Sequence, residues 1–297
     1  MKERINEELS IAKDVSDAVE YICADLEAQY ADKFDRYKSV RMVCANDDLC
    51  FMIEECRFGC AIELCGVPIG VIIRITKLPD MENYNMLYQY LNRANFFNFS
   101  TKQLFVSSIV VGDGQPTNQY FRRLLQHELN HAYQDIITNK NLFSGIYKTA
   151  SDILQDESVP DVSFEKMFAS AVYYFSNIEV DAEVNGLYAE LQRLLKIDGS
   201  ISDIKETNYY IGKMENIENF KNVIDYLQNI DNEKAKKILI PYGFRNVRHA
   251  LSYLNNGYKR MKEKEMKIIA LIKTKKNLEE ATLFLSPWWK SKKMLLK

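Results

Sequence analysis

The chain has 297 residues, enough for one large domain or two modest ones with a sizeable buried core. Hydrophobic residues make up 47% and charged residues 27%, which excludes disorder as the global state. Thirty-nine Lys and Arg face 41 Asp and Glu, and the resulting net charge of −2 speaks against a broadly basic, nucleic-acid-binding chain.

The N-terminal MKERINEELS is charged and carries no signal-peptide core, and no later stretch approaches 18 apolar residues. A cytoplasmic protein without a transmembrane segment is expected. Ile5, Leu9, Ala12, Val15, Val19, Ile22 and Leu26 recur at helical steps and predict a helix over residues 1–38. Residues 40–76 turn β-rich. Cys60–Leu64 and Val71–Thr76 read as antiparallel strands joined by a turn at Gly66-Val67-Pro68-Ile69-Gly70. Five of the six Cys lie between Cys44 and Cys65 among apolar neighbours, and buried, reduced thiols are expected there. A redox or second metal site is the sharper alternative.

A helix is predicted over Asn83–Asn95 and a strand over Gln103–Val111. Thr117 is placed to cap a helix that runs to about Thr138. Residues 139–162 read as a polar loop, a candidate lid. One long helix is predicted from Phe164 to Leu195, closed by Asp198-Gly199-Ser200. The remainder, 201–297, is lysine-rich and helical by pattern, with breaks near Asp231 and at Pro241-Tyr242-Gly243. Lys259–Lys267 alternates in charge like a solvated helix face. The tail from Trp288 reads as a frayed terminus, or as a surface for a membrane or partner.

The chemistry concentrates in His127-Glu128-Leu129-Asn130-His131. Two His four apart lie on one helical face, so both imidazoles can reach one zinc ion, and the Glu after the first can act as general base toward water. Two of only three His in the chain fall in this motif. Leu125, Leu129, Ala132 and Ile136 occupy the opposite side and would hold the helix in the core. Zinc needs a third protein ligand. Gln134 and Ile137 stand where a longer His-bearing motif would continue, so that ligand comes from elsewhere. Glu179, Ala182, Glu183 and Gly186 form one stripe at i, i+3, i+4, i+7 on the later helix. This acidic stripe is the better source than distant His249, with a solvated acidic face as the bland reading.

His127–His131 with Ala132 and Asp135 resembles the active helix of thermolysin-like peptidases. Glu179-Val180-Asp181-Ala182-Glu183 with Gly186 resembles the Glu-x-x-Ala-Asp segment of CAAX-protease-like and minigluzincin-like peptidases. The resemblance covers roughly 103–190 and implies a gluzincin-type zinc metallopeptidase. It implies an α+β, zincin-like fold with a small, mainly antiparallel sheet. It also implies one Zn2+ per chain held by His127, His131 and Glu179, with Glu128 as general base. Glu183 takes the place of the family's Asp, which braces a ligand His. This departure leaves Glu183 as an alternative ligand. The strand Gln103–Val111 would edge the cleft and bind an extended peptide, or be an ordinary core strand. Asp135 would orient a ligand or face water. His249, or one of Tyr173, Tyr174, Tyr209 and Tyr210, would stabilise an oxyanion.

The domain organisation expected is a zincin-like domain over 1–200, with helix and sheet at 1–116, the active helix at 117–138 and the Glu helix at 164–195. A helical region over 201–297 follows. The partner expected is a peptide or protein substrate. The alternatives are an inactive or structural zinc site in an interaction module, and a zinc hydrolase of a non-peptide amide.

Overall fold

A computed structural model describes residues 2–46, 49–78, 95–98, 100–138, 145–156, 158–160, 163–198 and 208–273. Five strands and eight α-helices are found among them, a mixed α+β fold. They are α1 (Lys2–Tyr37), β1 (Ser39–Asn46), β2 (Leu49–Leu64), β3 (Val67–Leu78), β4 (Phe96–Asn98), β5 (Gln103–Val111) and α2 (Gln119–Thr138). Then follow α3 (Ile146–Gln155), α4 (Phe164–Tyr174), α5 (Asn177–Asp198), α6 (Asn208–Asn229), α7 (Asn232–Leu239), a 3-10 turn (Ile240–Tyr242) and α8 (Val247–Lys273). The helix expected over 83–95, but for Asn95, and the tail from Trp288 lie outside the described residues. No helix among the described residues is long and apolar enough to cross a membrane. Contacts divide the chain into two compact units, 1–137 with 189–197, and 138–188 with 198–297.

The first unit is built on one sheet of order β1-β2-β3-β5-β4. All pairs are antiparallel except β3 with β5, which is parallel and so needs the crossover between residues 79 and 102. The hairpin turn is tighter than the sequence suggests. Leu64 pairs with Val67, so only Cys65 and Gly66 lie in the loop, and Pro68 is already paired with Glu63. Cys65 and Gly66 have φ of 51° and 77°, the two positive values that a primed two-residue turn requires. Strand alternation sends Phe58, Ile62, Leu64, Ile69, Val71, Ile73, Ile75, Leu104, Val106 and Val110 into one cluster. There they meet Val15, Val19, Ile22 and Leu26 of α1 and Phe121, Leu125, Leu129 and Ala132 of α2.

The strand β5 matches its predicted span and is a core strand with β3 on one side. On its other margin β4 covers Gln103–Phe105, Asn95 Oδ1 accepts from the Ser107 N–H at 2.6 Å, and Asn118 Nδ2 donates to Ile109 O at 3.2 Å. Asn118, not Thr117, caps α2, because its Oδ1 accepts from the Phe121 N–H at 2.9 Å. The Thr117 hydroxyl is bonded instead to Glu27 of α1.

Cys23 and Cys56 are buried, Cys60 is half-buried and Cys65 is exposed. Burial, then the nearby Asp25 carboxylate, pushes the Cys60 thiol up to about 11, and burial raises Cys56 as well. Neutral thiols of this kind are poor nucleophiles and poor metal ligands. At pH 8 the thiolate fraction at Cys60 is on the order of 10⁻³, against about a quarter for an ordinary thiol. Cys60 is therefore expected to alkylate on the order of a hundred-fold more slowly than an ordinary thiol such as free cysteine, and to speed up as pH climbs toward 11. Peptide mapping after timed iodoacetamide treatment checks this. Because folding raises this acid's pKa, its contribution to stability is complete below about pH 9 and fades between about 9 and 11.

The second unit is helical. The segment expected as a loop over 139–162 holds α3, which buries Tyr147 and Ala150 one turn apart. The single long helix expected over 164–195 is two helices. At the junction Phe175 is the C-cap of α4, and its N–H bonds to Ala171 O. Ser176 then starts α5: its Oγ accepts from the Glu179 N–H at 3.2 Å, and its carbonyl accepts from the Val180 N–H at 3.0 Å. A serine that caps the next turn ends one helix and begins another without interrupting the apolar period, which is why periodicity alone ran through it. The breaks expected near Asp231 and Pro241 are present. Asp231 Oδ1 caps α7 and Gly243 ends the 3-10 turn at φ 73°.

Aromatic contacts fill this unit. Phe168 packs edge-on to Tyr242, and Phe175 meets Phe220 with ring centroids 4.8 Å apart. Lys259–Lys267 is not a uniformly solvated face. Lys259, Lys262 and Glu263 are exposed, whereas Glu265 is buried and pairs with Lys213, and Lys264 pairs with Asp181. Met261, Lys264 and Glu265 sit on the inward side of α8 because they follow at i, i+3, i+4.

Candidate functional site

α2 presents two faces. Phe121, Leu125, Leu129 and Ala132 are each 0% exposed and root the helix in the sheet core. The other face carries His127, half-buried, with Glu128 and His131 buried beside it. Four residues place the two imidazoles one turn apart, and their Nε2 atoms lie 3.1 Å from each other with the rings perpendicular. His131 Nδ1 lies 3.1 Å from Gln134 Oε1, and Gln134 is wholly buried. An amide oxygen at that distance favours the tautomer with its proton on Nδ1, which leaves the Nε2 lone pair toward His127. Asp135 is ion-paired with Lys102, so its carboxylate joins the margin of β5 to α2.

On α5, Glu179 is buried in the first helical turn, where the helix dipole favours a negative charge. Ser176-Asn177-Ile178-Glu179 has the Ser-x-x-Glu spacing of a capping box. The serine half of the box is used. The Ser176 N–H, however, donates to Tyr173 O at 3.0 Å, and Glu179 Oε1 accepts from the Tyr147 hydroxyl at 2.6 Å. Tyr147 lies 2.9 Å from the Tyr173 hydroxyl, with the two rings stacked. Burial, with Glu179 and Tyr173 next to it, pushes the Tyr147 hydroxyl well above its ordinary range, so it keeps its proton and serves as a donor. Glu183 is half-buried one turn further along the helix.

His249 is exposed. Its Nδ1 accepts from the Arg245 N–H at 3.3 Å, and its ring packs edge-on to Phe244, a local role at the start of α8. Tyr174 and Tyr209 are buried with the packed interior of their unit. Sequence reasoning missed Tyr147 and Gln134. Tyr147 belongs to a segment read as loop, although Tyr147, Ala150 and Leu154 already carry a short helical period. The chain matches no known family model, no curated protein and no solved structure.

Proposed function

We propose that the protein is a zinc-dependent metallopeptidase of the gluzincin type, in which His127, His131 and Glu179 hold one Zn2+ and Glu128 is the general base. The observation that carries this reading is a single group of side chains. His127, His131 and Glu179 are the one group of three side chains among the described residues that could hold a metal ion. The donor chemistry fits zinc. Two imidazole nitrogens and a carboxylate oxygen make a His2Glu set with a fourth position open, as hydrolytic zinc sites have. The 3.1 Å between the Nε2 atoms is close to the edge of about 3.3 Å expected between ligands of a tetrahedral zinc site.

A zinc ion held there supplies Lewis-acid polarisation of a carbonyl and acidifies water to near neutrality. Gln134 holds His131 in the tautomer that a ligand needs, and Tyr147 fixes one oxygen of Glu179. Glu128 follows the first ligand and is buried, so its carboxylate accepts the proton of the attacking water and returns it to the leaving amine. A structural metal site has no need of such a base, which favours the enzyme over an interaction module.

Elemental analysis of the purified chain beside three variants tests the proposal. One zinc per chain is expected in the parent and in Glu128→Gln, and its loss in His131→Ala and Glu179→Ala. A parent without zinc after reconstitution would reduce the motif to two histidines on a helix. Loss in Glu183→Ala but not in Glu179→Ala would move the third ligand one turn along α5.

A further inference from the structure

The region after residue 200 contributes no residue to the proposed zinc site, yet α8 is fastened to the start of α5 at two points. The first is Gly257. A Cβ there would stand 2.0 Å from Phe175 O and 2.8 Å from Phe175 Cβ, so α8 can pass the α4–α5 junction only because this residue has no side chain. The Tyr258 ring adds an edge-on contact to Phe175, with centroids 6.0 Å apart. The second point is Lys264, ion-paired to Asp181 with side-chain exposures of 13% and 0%. Gly257 and Lys264 are seven residues apart, two helical turns, and so share one face of α8 with Met261, which is 0% exposed between them.

These two contacts bracket the first turn of α5. Phe175 lies four residues before Glu179, and Asp181 lies two after it. At 100° per residue Asp181 points about 200° away from Glu179 around the helix axis. A charge pair on that far side, with a backbone contact at the helix entrance, fixes both the rotation and the height of the turn. A wholly buried carboxylate paired with a largely buried ammonium favours one seating of the two helices, so the pair acts as a pin. We infer that α8 is the brace that aims Glu179, and that Gly257 and Lys264 are positioning residues for the proposed metal site.

The inference rests on the zinc reading only for its purpose, and its test separates the two. The full chain, Lys264→Arg, Lys264→Met, the double variant Asp181→Leu/Lys264→Met and Gly257→Ala are compared, with exposed Lys259→Met as control. Two quantities are read: the Zn2+ dissociation constant by chelator competition, and amide hydrogen exchange over 176–183 in the zinc-free chain. Lys264→Arg and the control should match the parent. The other variants should bind Zn2+ about 10- to 100-fold more weakly, the range found when residues that orient a ligand are lost. They should also exchange faster over 176–183 while α2 keeps its protection. The double variant removes both members of the pair together, so it covers the case in which Lys264→Met fails to fold. Unchanged affinity and exchange in both the double variant and Gly257→Ala would overturn the brace. Should the parent bind no Zn2+, the zinc reading falls, and the exchange data alone uphold or overturn the brace.

Discussion

Glu128→Gln is expected to keep its zinc and to lose peptide hydrolysis by about 10²–10⁴-fold, the usual range for removing a positioned general base. The substitution keeps the shape of the side chain, which is only 7% exposed on α2, and removes its ability to take a proton. The two His ring nitrogens and Glu179 are untouched, so metal content serves as an internal control. Rates on a mixed peptide library, read by mass spectrometry beside metal content, distinguish three cases. Zinc kept with cleavage lost assigns Glu128 to the chemistry. Zinc and cleavage lost together make it a structural support of the ligands. Cleavage at the parent rate removes it from the mechanism altogether.

The pair of histidines was legible in the sequence because helix geometry converts a spacing of four into proximity without help from the rest of the fold. The same holds for α1, β5 and the breaks at Asp231 and Pro241, where periodicity and stop residues are strong and local. Glu179 was harder. Its stripe could be drawn, but the capping spacing from Ser176 gives a glutamate a bland reason to be there, and only burial and the Tyr147 hydroxyl separate the two. Tyr147 itself was hidden because α3 is only ten residues long and flanked by polar residues, so composition outweighed pattern. The break at Ser176 escaped for the converse reason, since apolar periodicity continues in phase across it. The ion pairs Lys264–Asp181 and Lys213–Glu265 join residues 83 and 52 positions apart. Nothing local in an alternating Lys-Glu run says which members turn inward; tertiary packing decides that.

Phe121→Ala is expected to destabilise the sheet-bearing unit by about 3–5 kcal/mol, the range for truncating a fully buried aromatic ring. Phe121 is 0% exposed and lies in the cluster that α1, α2 and the strands share. It is also an apolar anchor near the start of the helix that carries both histidines, about 1.7 turns before His127 and about 2.8 turns before His131. A domain's whole stability is about 5–15 kcal/mol, so this one ring accounts for a large share of what keeps α2 on the sheet. The cost should exceed that of Asn118→Ala, which removes only the capping acceptor for the Phe121 N–H and should cost about 1 kcal/mol. Urea unfolding of the zinc-free chains, followed by far-ultraviolet circular dichroism, reads both; omitting zinc prevents ligand binding from masking the difference. Equal costs for the two substitutions would mean that capping, not the buried face, holds α2 in place. A loss near the upper figure would mean that the apolar side of the helix supplies the stability, which leaves the opposite side to carry His127, Glu128 and His131.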